Sequence, residues 1–152
     1  MGWISEESLA VGVPASTWQD VVRAAGGLLV DIRAAEPRYI AAMLRTAEEL
    51  GPYIVLAPGL ALPHARTEDG ALRVGFAAIT LAAPVEFGNP DNDPVRLVIA
   101  FCAPDSTAHL QALSQLARAL EEPGFIDRAA AARHKTELAA ILNAENAEGS
   151  EK

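Results

Sequence analysis

The segment Pro58-Gly59-Leu60-Ala61-Leu62-Pro63-His64-Ala65-Arg66 sets an imidazole between a proline and a nearby arginine, where an apolar stretch gives way to a loop. Imidazole is nucleophilic near neutral pH, and either ring nitrogen can carry a proton, a metal ion or a transferred phosphoryl group. His64 is therefore the leading candidate for chemistry. The chain has three histidines, and the second, His109, falls in the first turn of a helical pattern. Projected at about 100° per residue, it lies between Leu113 and Leu116 and is expected to face the core side. Backbone N–H groups in a first turn lack helical acceptors and stand at the positive end of the helix dipole, which suits a bound anion. His134, flanked by Arg133 and Lys135 at a helix start, reads as solvent-exposed and receives no role.

Each candidate has a plainer reading. On spacing alone a Pro-His-Ala-Arg segment is more often a turn than a site, and a lone inward histidine is more often a core residue bonded to a carbonyl. No third His, Cys or carboxylate stands at ligand spacing from His64 or His109, so no metal site is expected. The acidic loop Asn89-Pro90-Asp91-Asn92-Asp93-Pro94 begins like a calcium loop, yet it lacks the glycine at the sixth position and puts Cys102 where the bidentate glutamate belongs. It reads as a solvated turn. No Gly-x-Ser-x-Gly elbow, Walker loop or dinucleotide fingerprint is present, so no cofactor is expected either.

These residues need a fold to position them. A chain of 152 residues, 51% hydrophobic, is long enough for one substantial core and too short for two ordinary domains. A single domain is expected over 1–143, followed by a polar, disordered tail over 144–152. The net charge of -8 disfavours nucleic acid and anionic membrane surfaces as general partners. The longest apolar run, Leu97 to Ala103, is far short of the roughly 18 residues of a membrane span. The start of the chain has no basic region before an apolar stretch, and the single cysteine, Cys102, reads as a buried strand residue. A cytoplasmic location is expected.

Ser16 and Gln19 have capping-box spacing ahead of Trp18, Val21, Val22 and Ala25, which predicts a first helix ending at Gly26-Gly27. A second begins near Glu36-Pro37 and ends at Leu50-Gly51. Tyr53 to Leu56, Val74 to Leu81 and Val95 to Cys102 are apolar runs bounded by Gly and Pro, which predicts strands buried on both faces. Leu110, Leu113, Leu116, Ala117 and Leu120 mark one face of a helix capped by Asp105 or Ser106 and closed by Pro123-Gly124. Short helices are predicted near Ile126 to Arg133 and Thr136 to Asn143.

Leu60-Ala61-Leu62-Pro63-His64-Ala65, Val74 to Leu81, Pro84-Val85-Glu86-Phe87-Gly88, Pro94-Val95 and His109-Leu110 resemble, in that order, the mannitol/fructose-type IIA domain of the bacterial sugar phosphotransferase system. The resemblance runs from about Thr17 to Leu142. Glu36-Pro37-Arg38-Tyr39, Gly51 to Gly59 and Asp91-Asn92-Asp93-Pro94-Val95 are most similar to the ascorbate-specific IIA component. The resemblance implies a three-layer α/β/α sandwich with a mixed β-sheet flanked by helices. It also implies a phosphohistidine relay: His64 accepts a phosphoryl group from phosphorylated HPr and passes it to a cysteine of a IIB component, which works with a membrane IIC protein in uptake of L-ascorbate or a related sugar.

In that relay His109 would be the second active-site histidine, bonding the phosphoryl oxygens. Mannitol-type members carry an arginine upstream of the nucleophile. This chain offers only Arg45 there, at a different spacing, so Arg66 is preferred as the local cation against its plainer reading as an exposed loop residue. Leu62, read either as core or as a partner contact, is the first apolar candidate for the relay face. A regulatory, nitrogen-type IIA protein that acts through phosphorylation-dependent binding is the alternative, and a binding domain that has lost transfer is disfavoured because both His64 and His109 are present.

Overall fold

The computed structural model describes residues 3–150, with side chains described through Ala144. A short strand that the sequence pattern did not predict, β1 (Leu9–Val13), precedes the first helix. The Thr17 hydroxyl accepts from the Asp20 N–H and opens α1 (Trp18–Asp31), so the cap lies one residue beyond the expected Ser16. Gly26-Gly27 lie inside this helix rather than at its end. The reason is packing: a Cβ at Gly26 would stand 3.0 Å from Met43 Sδ and 3.1 Å from Ile40 Cγ1 of α2 (Arg38–Leu50), so the bare backbone admits the neighbouring helix. Gly51 ends α2 as expected.

The strand predicted from Tyr53 to Leu56 divides. Gly51–Ile54 is a 3₁₀ turn and β2 is only Val55–Ala57, with Tyr53 82% exposed and so unable to contribute to a buried face. Strand β3 is the pair Leu60–Ala61, while β4 (Gly75–Val85) and β5 (Val95–Cys102) coincide with the two longer apolar runs. The sheet order is β1-β4-β5-β3-β2, with β1 parallel to β4, β4 antiparallel to β5, β5 parallel to β3, and β3 antiparallel to β2. Sheets of this mixed kind bury both faces when helices cover each side.

Strand β5 illustrates the burial. Val98, Ala100 and Cys102 join α1 and α2 in one apolar cluster with Val21, Leu29 and Met43. Leu97, Ile99 and Phe101 join the opposite cluster with α3 (Ser106–Leu120), α4 (Phe125–Ala130) and α5 (Lys135–Ser150), through Leu116, Phe125 and Leu138. The result is the expected three-layer α/β/α sandwich around a mixed sheet. In α3 the buried residues are Ala112, Leu116 and Ala119, while Leu110 is 65% exposed and Leu113 also faces solvent. The leucine stripe therefore misplaced the inner face, because small alanines fit against the sheet where leucine would not. Helix α5 passes into the segment expected to be a tail, without a backbone break at residue 144; residues 151–152 lie outside those described.

Two further ties hold the ends. Trp3 and Ile4 donate their backbone N–H groups to Asn143 Oδ1, Asn143 Nδ2 donates to the Ile4 carbonyl, and Trp3 Nε1 donates to the Leu142 carbonyl at 2.7 Å. The Trp3 ring stands edge-on to Phe76 with centroids 4.8 Å apart. The acidic loop is not a loose solvated turn. Asp93 accepts from the N–H groups of Phe87, Gly88 and Asn89, and the Asn89 and Asn92 side-chain amides donate to the Val55 carbonyl. These bonds fasten the loop to the β2 edge, and the Gly59 N–H completes the attachment by donating to Asn92 O at 2.9 Å.

Candidate functional site

Strands β3 and β5 run parallel, with Leu60 opposite Leu97 and Ala61 opposite Val98, so their carboxyl ends open at the same edge of the sheet. Ligand sites in α/β sheets form at such ends. The chain leaving β3 carries His64, and the chain leaving β5 turns at Asp105 into α3, which carries His109. Before the site, Gly59 adopts φ +84°, a left-handed conformation that lets the two-residue β3 follow β2 directly. Asp105 Oδ1 accepts from the Ala108 N–H at 2.8 Å and fixes where α3 begins.

The structure brings the two histidines together. Their ring centroids lie 6.0 Å apart with planes inclined at 59°, and both rings rest on Phe101, at 5.0 Å from His64 and 5.3 Å from His109. Both histidines are half-buried. His64 Nδ1 lies 2.9 Å from the Leu62 carbonyl. A carbonyl only accepts, so Nδ1 carries the proton in the neutral ring and Nε2 keeps its lone pair. Burial lowers the His64 pKa below its ordinary value, opposed by the Leu62 carbonyl and reinforced by His109. A neutral imidazole with one nitrogen tied to backbone and the other unprotonated is a nucleophile already in its reactive form.

Other predicted residues sit differently. Arg66 is exposed two residues beyond His64, its backbone N–H on Asp69 Oδ2 and its carbonyl accepting from the Asp69 N–H. Among the described residues the Arg66 side chain forms no ion pair. Arg45 is exposed on α2 beside Glu48 and Glu49. Leu62 is buried in the same cluster as Phe101, so it is core and not partner-facing. His134 is exposed, as expected.

Two site residues escaped the sequence reading. Phe101 stood within a strand run as one apolar residue among several. Tyr39 is 1% exposed on α2, and its hydroxyl accepts from the Ala65 N–H at 3.0 Å while lying 3.1 Å from the Phe101 carbonyl and 3.3 Å from that of Ala65. Burial raises its phenol pKa, so the hydroxyl remains protonated. Its signal was available, since a tyrosine at helical spacing from Ala42 and Met43 must turn inward and find a partner for its O–H.

Comparison with known proteins places this geometry. The family described as phosphoenolpyruvate-dependent sugar phosphotransferase system, EIIA 2 matches residues 3–145. The chain is 41% identical over 142 residues to the ascorbate-specific PTS system EIIA component of Shigella boydii serotype 4 (strain Sb227), covering 93% of this chain and 92% of that one. A crystal structure of a PTS IIA protein from Streptococcus mutans superposes with a TM-score of 0.83 at 31% identity, covering 93% of this chain and 90% of that one. The mannitol enzyme IIA of Escherichia coli, solved in complex with phosphorylated mannitol enzyme IIB, superposes with a TM-score of 0.80 at 29% identity over 91% of this chain and 96% of that one. Among the described residues no helix is long and apolar enough to cross a membrane.

Proposed function

Because the chain belongs to the EIIA 2 family of the phosphoenolpyruvate-dependent sugar phosphotransferase system, and is thereby a relay component of a phosphotransferase, we propose that its phosphoryl acceptor is His64. The donor is phosphorylated HPr, the receiver is a cysteine of a IIB component that serves a membrane IIC protein, and the transported sugar is L-ascorbate. The relay unit is residues 1–143, acting in the cytoplasm. The observation that carries this reading is the bond from His64 Nδ1 to the Leu62 carbonyl, which leaves Nε2 as the only ring nitrogen with a free lone pair.

In this reading the Nε2 lone pair attacks phosphorus in line with the departing nitrogen of the donor. The old P–N bond breaks as the new one forms, and the donor nitrogen recovers its electron pair. The His64 ring gains positive character, and its Nδ1–H bond to the Leu62 carbonyl strengthens in response. His109 and the first-turn N–H groups of α3 stabilise the phosphoryl oxygens, with the Arg66 guanidinium as the nearby fixed cation. Onward transfer reverses the logic: a IIB thiolate attacks, the P–N bond to His64 breaks, and Nε2 recovers its lone pair. Neither step calls for a protein acid or a metal. The 41% identity to an ascorbate-specific component favours ascorbate as the sugar served.

The test is labelling. With enzyme I, HPr and phosphoenolpyruvate the protein should take up one acid-labile phosphate, and His64→Ala should take up none. Label retained by His64→Ala overturns the assignment. Transfer of that phosphate to an ascorbate-type IIB cysteine, and failure with a mannitol-type IIB, checks the sugar.

A further inference from the structure

We propose that Tyr39 is a positioning residue for phosphoryl transfer, holding through one buried hydroxyl the two backbone segments that carry the His64 imidazole and its Phe101 platform. The inference rests on the reading of His64 as acceptor. Tyr39 itself is buried beneath the site, where neither a partner protein nor a phosphoryl group reaches it.

The geometry is specific. The hydroxyl accepts from the N–H of Ala65, the residue next to His64, and its own O–H faces two carbonyl acceptors, Phe101 at 3.1 Å and Ala65 at 3.3 Å. The Phe101 N–H in turn donates to the Pro63 carbonyl at 3.3 Å, so the residues on both sides of His64 are tied to Phe101, one directly and one through Tyr39. The ring of Phe101 then stacks on His64 within 22° of coplanar. A peptide turn after a two-residue strand has few bonds of its own. Without the hydroxyl, the Ala65 N–H and the Phe101 carbonyl lose a partner in a buried setting, and the turn is free to rotate the His64 ring off its Leu62 bond. Misplacement of a reacting atom by about 1 Å can cost on the order of a hundredfold in rate.

The decisive variant is Tyr39→Phe, which removes one oxygen and keeps the ring. With phosphorylated HPr as donor, the saturated rate of phosphate acceptance should fall at least tenfold while the half-saturating HPr concentration stays within twofold. In ¹⁵N spectra of the unphosphorylated protein, the wild-type His64 ring should show protonated Nδ1 and unprotonated Nε2, and the variant should show a mixture of the two tautomers. A folded variant with the wild-type rate and the wild-type tautomer overturns the proposal, as does a rate loss matched by an equal rise in half-saturation. If Tyr39→Phe does not fold, 3-fluorotyrosine at position 39 in a Tyr53→Phe background weakens the hydroxyl as an acceptor with the ring retained. Acceptance should then slow at least twofold, and an unchanged rate rejects the role. The parent reading fails separately, by label persisting in His64→Ala, and the tautomer measurement does not depend on it.

Discussion

The imidazole of His64 and the ring of Phe101 lie nearly parallel, with centroids 5.0 Å apart and planes inclined at 22°. The same Phe101 ring supports His109 at 5.3 Å, so one fully buried aromatic at the end of β5 sets the distance between the two histidines. Replacing Phe101 with leucine keeps an apolar side chain but removes the flat support. The expected cost is about 1–3 kcal/mol of stability, together with slower phosphate acceptance by the variant fraction that remains folded. Denaturant titration measures the first and rapid-quench labelling the second; acceptance by folded Phe101→Leu at the wild-type rate would reduce the ring to packing.

His109→Ala should separate acceptance from delivery. Loss of one preorganised donor to an oxyanion commonly costs on the order of a hundredfold or more. The variant should still label at His64, slowly, and pass phosphate to IIB about a hundredfold less well. Onward transfer at the wild-type rate would leave His109 without a role in the relay.

The lowered pKa of His64 makes two pH predictions. Acceptance requires the neutral ring, so its acid limb should lie below pH 6.5, the ordinary value for histidine. For stability the sign follows from proton uptake: as pH falls past 6.5 the unfolded chain binds a proton at this site before the folded one does. The contribution of His64 is therefore fully present above pH 6.5 and is lost progressively as pH falls toward its folded pKa. His64→Gln should flatten that part of the urea midpoint against pH, and an unchanged slope would show that another group is responsible.

The paired glycines of α1 should respond differently to alanine. At Gly27 an added Cβ meets nothing within 4 Å, so Gly27→Ala should gain about 0.5–1 kcal/mol from helix propensity. At Gly26 the same methyl crowds Met43 and Ile40, so Gly26→Ala should be less stable than Gly27→Ala by about 1–3 kcal/mol. Thermal unfolding of the two single variants decides, and equal midpoints would show that α2 yields freely.

Several features were legible in the sequence because their signals were local. The runs of β4 and β5, the Asp105 cap and the Pro-His-Ala-Arg segment each announce themselves within a few residues. Strand β1 did not, because Leu9–Val13 contains Gly12 and earns its strand only by pairing with β4, far along the chain. Strand β3 is too short to show alternation. His109 was expected to turn inward, and it does, although two of the leucines used to orient the helix, Leu110 and Leu113, face water. The inward turn of Tyr39 was legible from its spacing to Ala42 and Met43, but its place in the site was not, because its partners lie 26 and 62 residues away in sequence, a relation no local pattern records.

The bonds joining Trp3 and Ile4 to Leu142 and Asn143 make the domain close to a ring. A polypeptide closed in this way can be opened elsewhere with little topological change. Linked across that junction and cut within the exposed residues 82–84 near the end of β4, the chain should still assemble the sheet edge that carries His64. The same closure lets the unit from Trp3 to Asn143 be inserted as a cassette into a surface loop of a larger protein, since those two residues already stand within hydrogen-bond distance of each other.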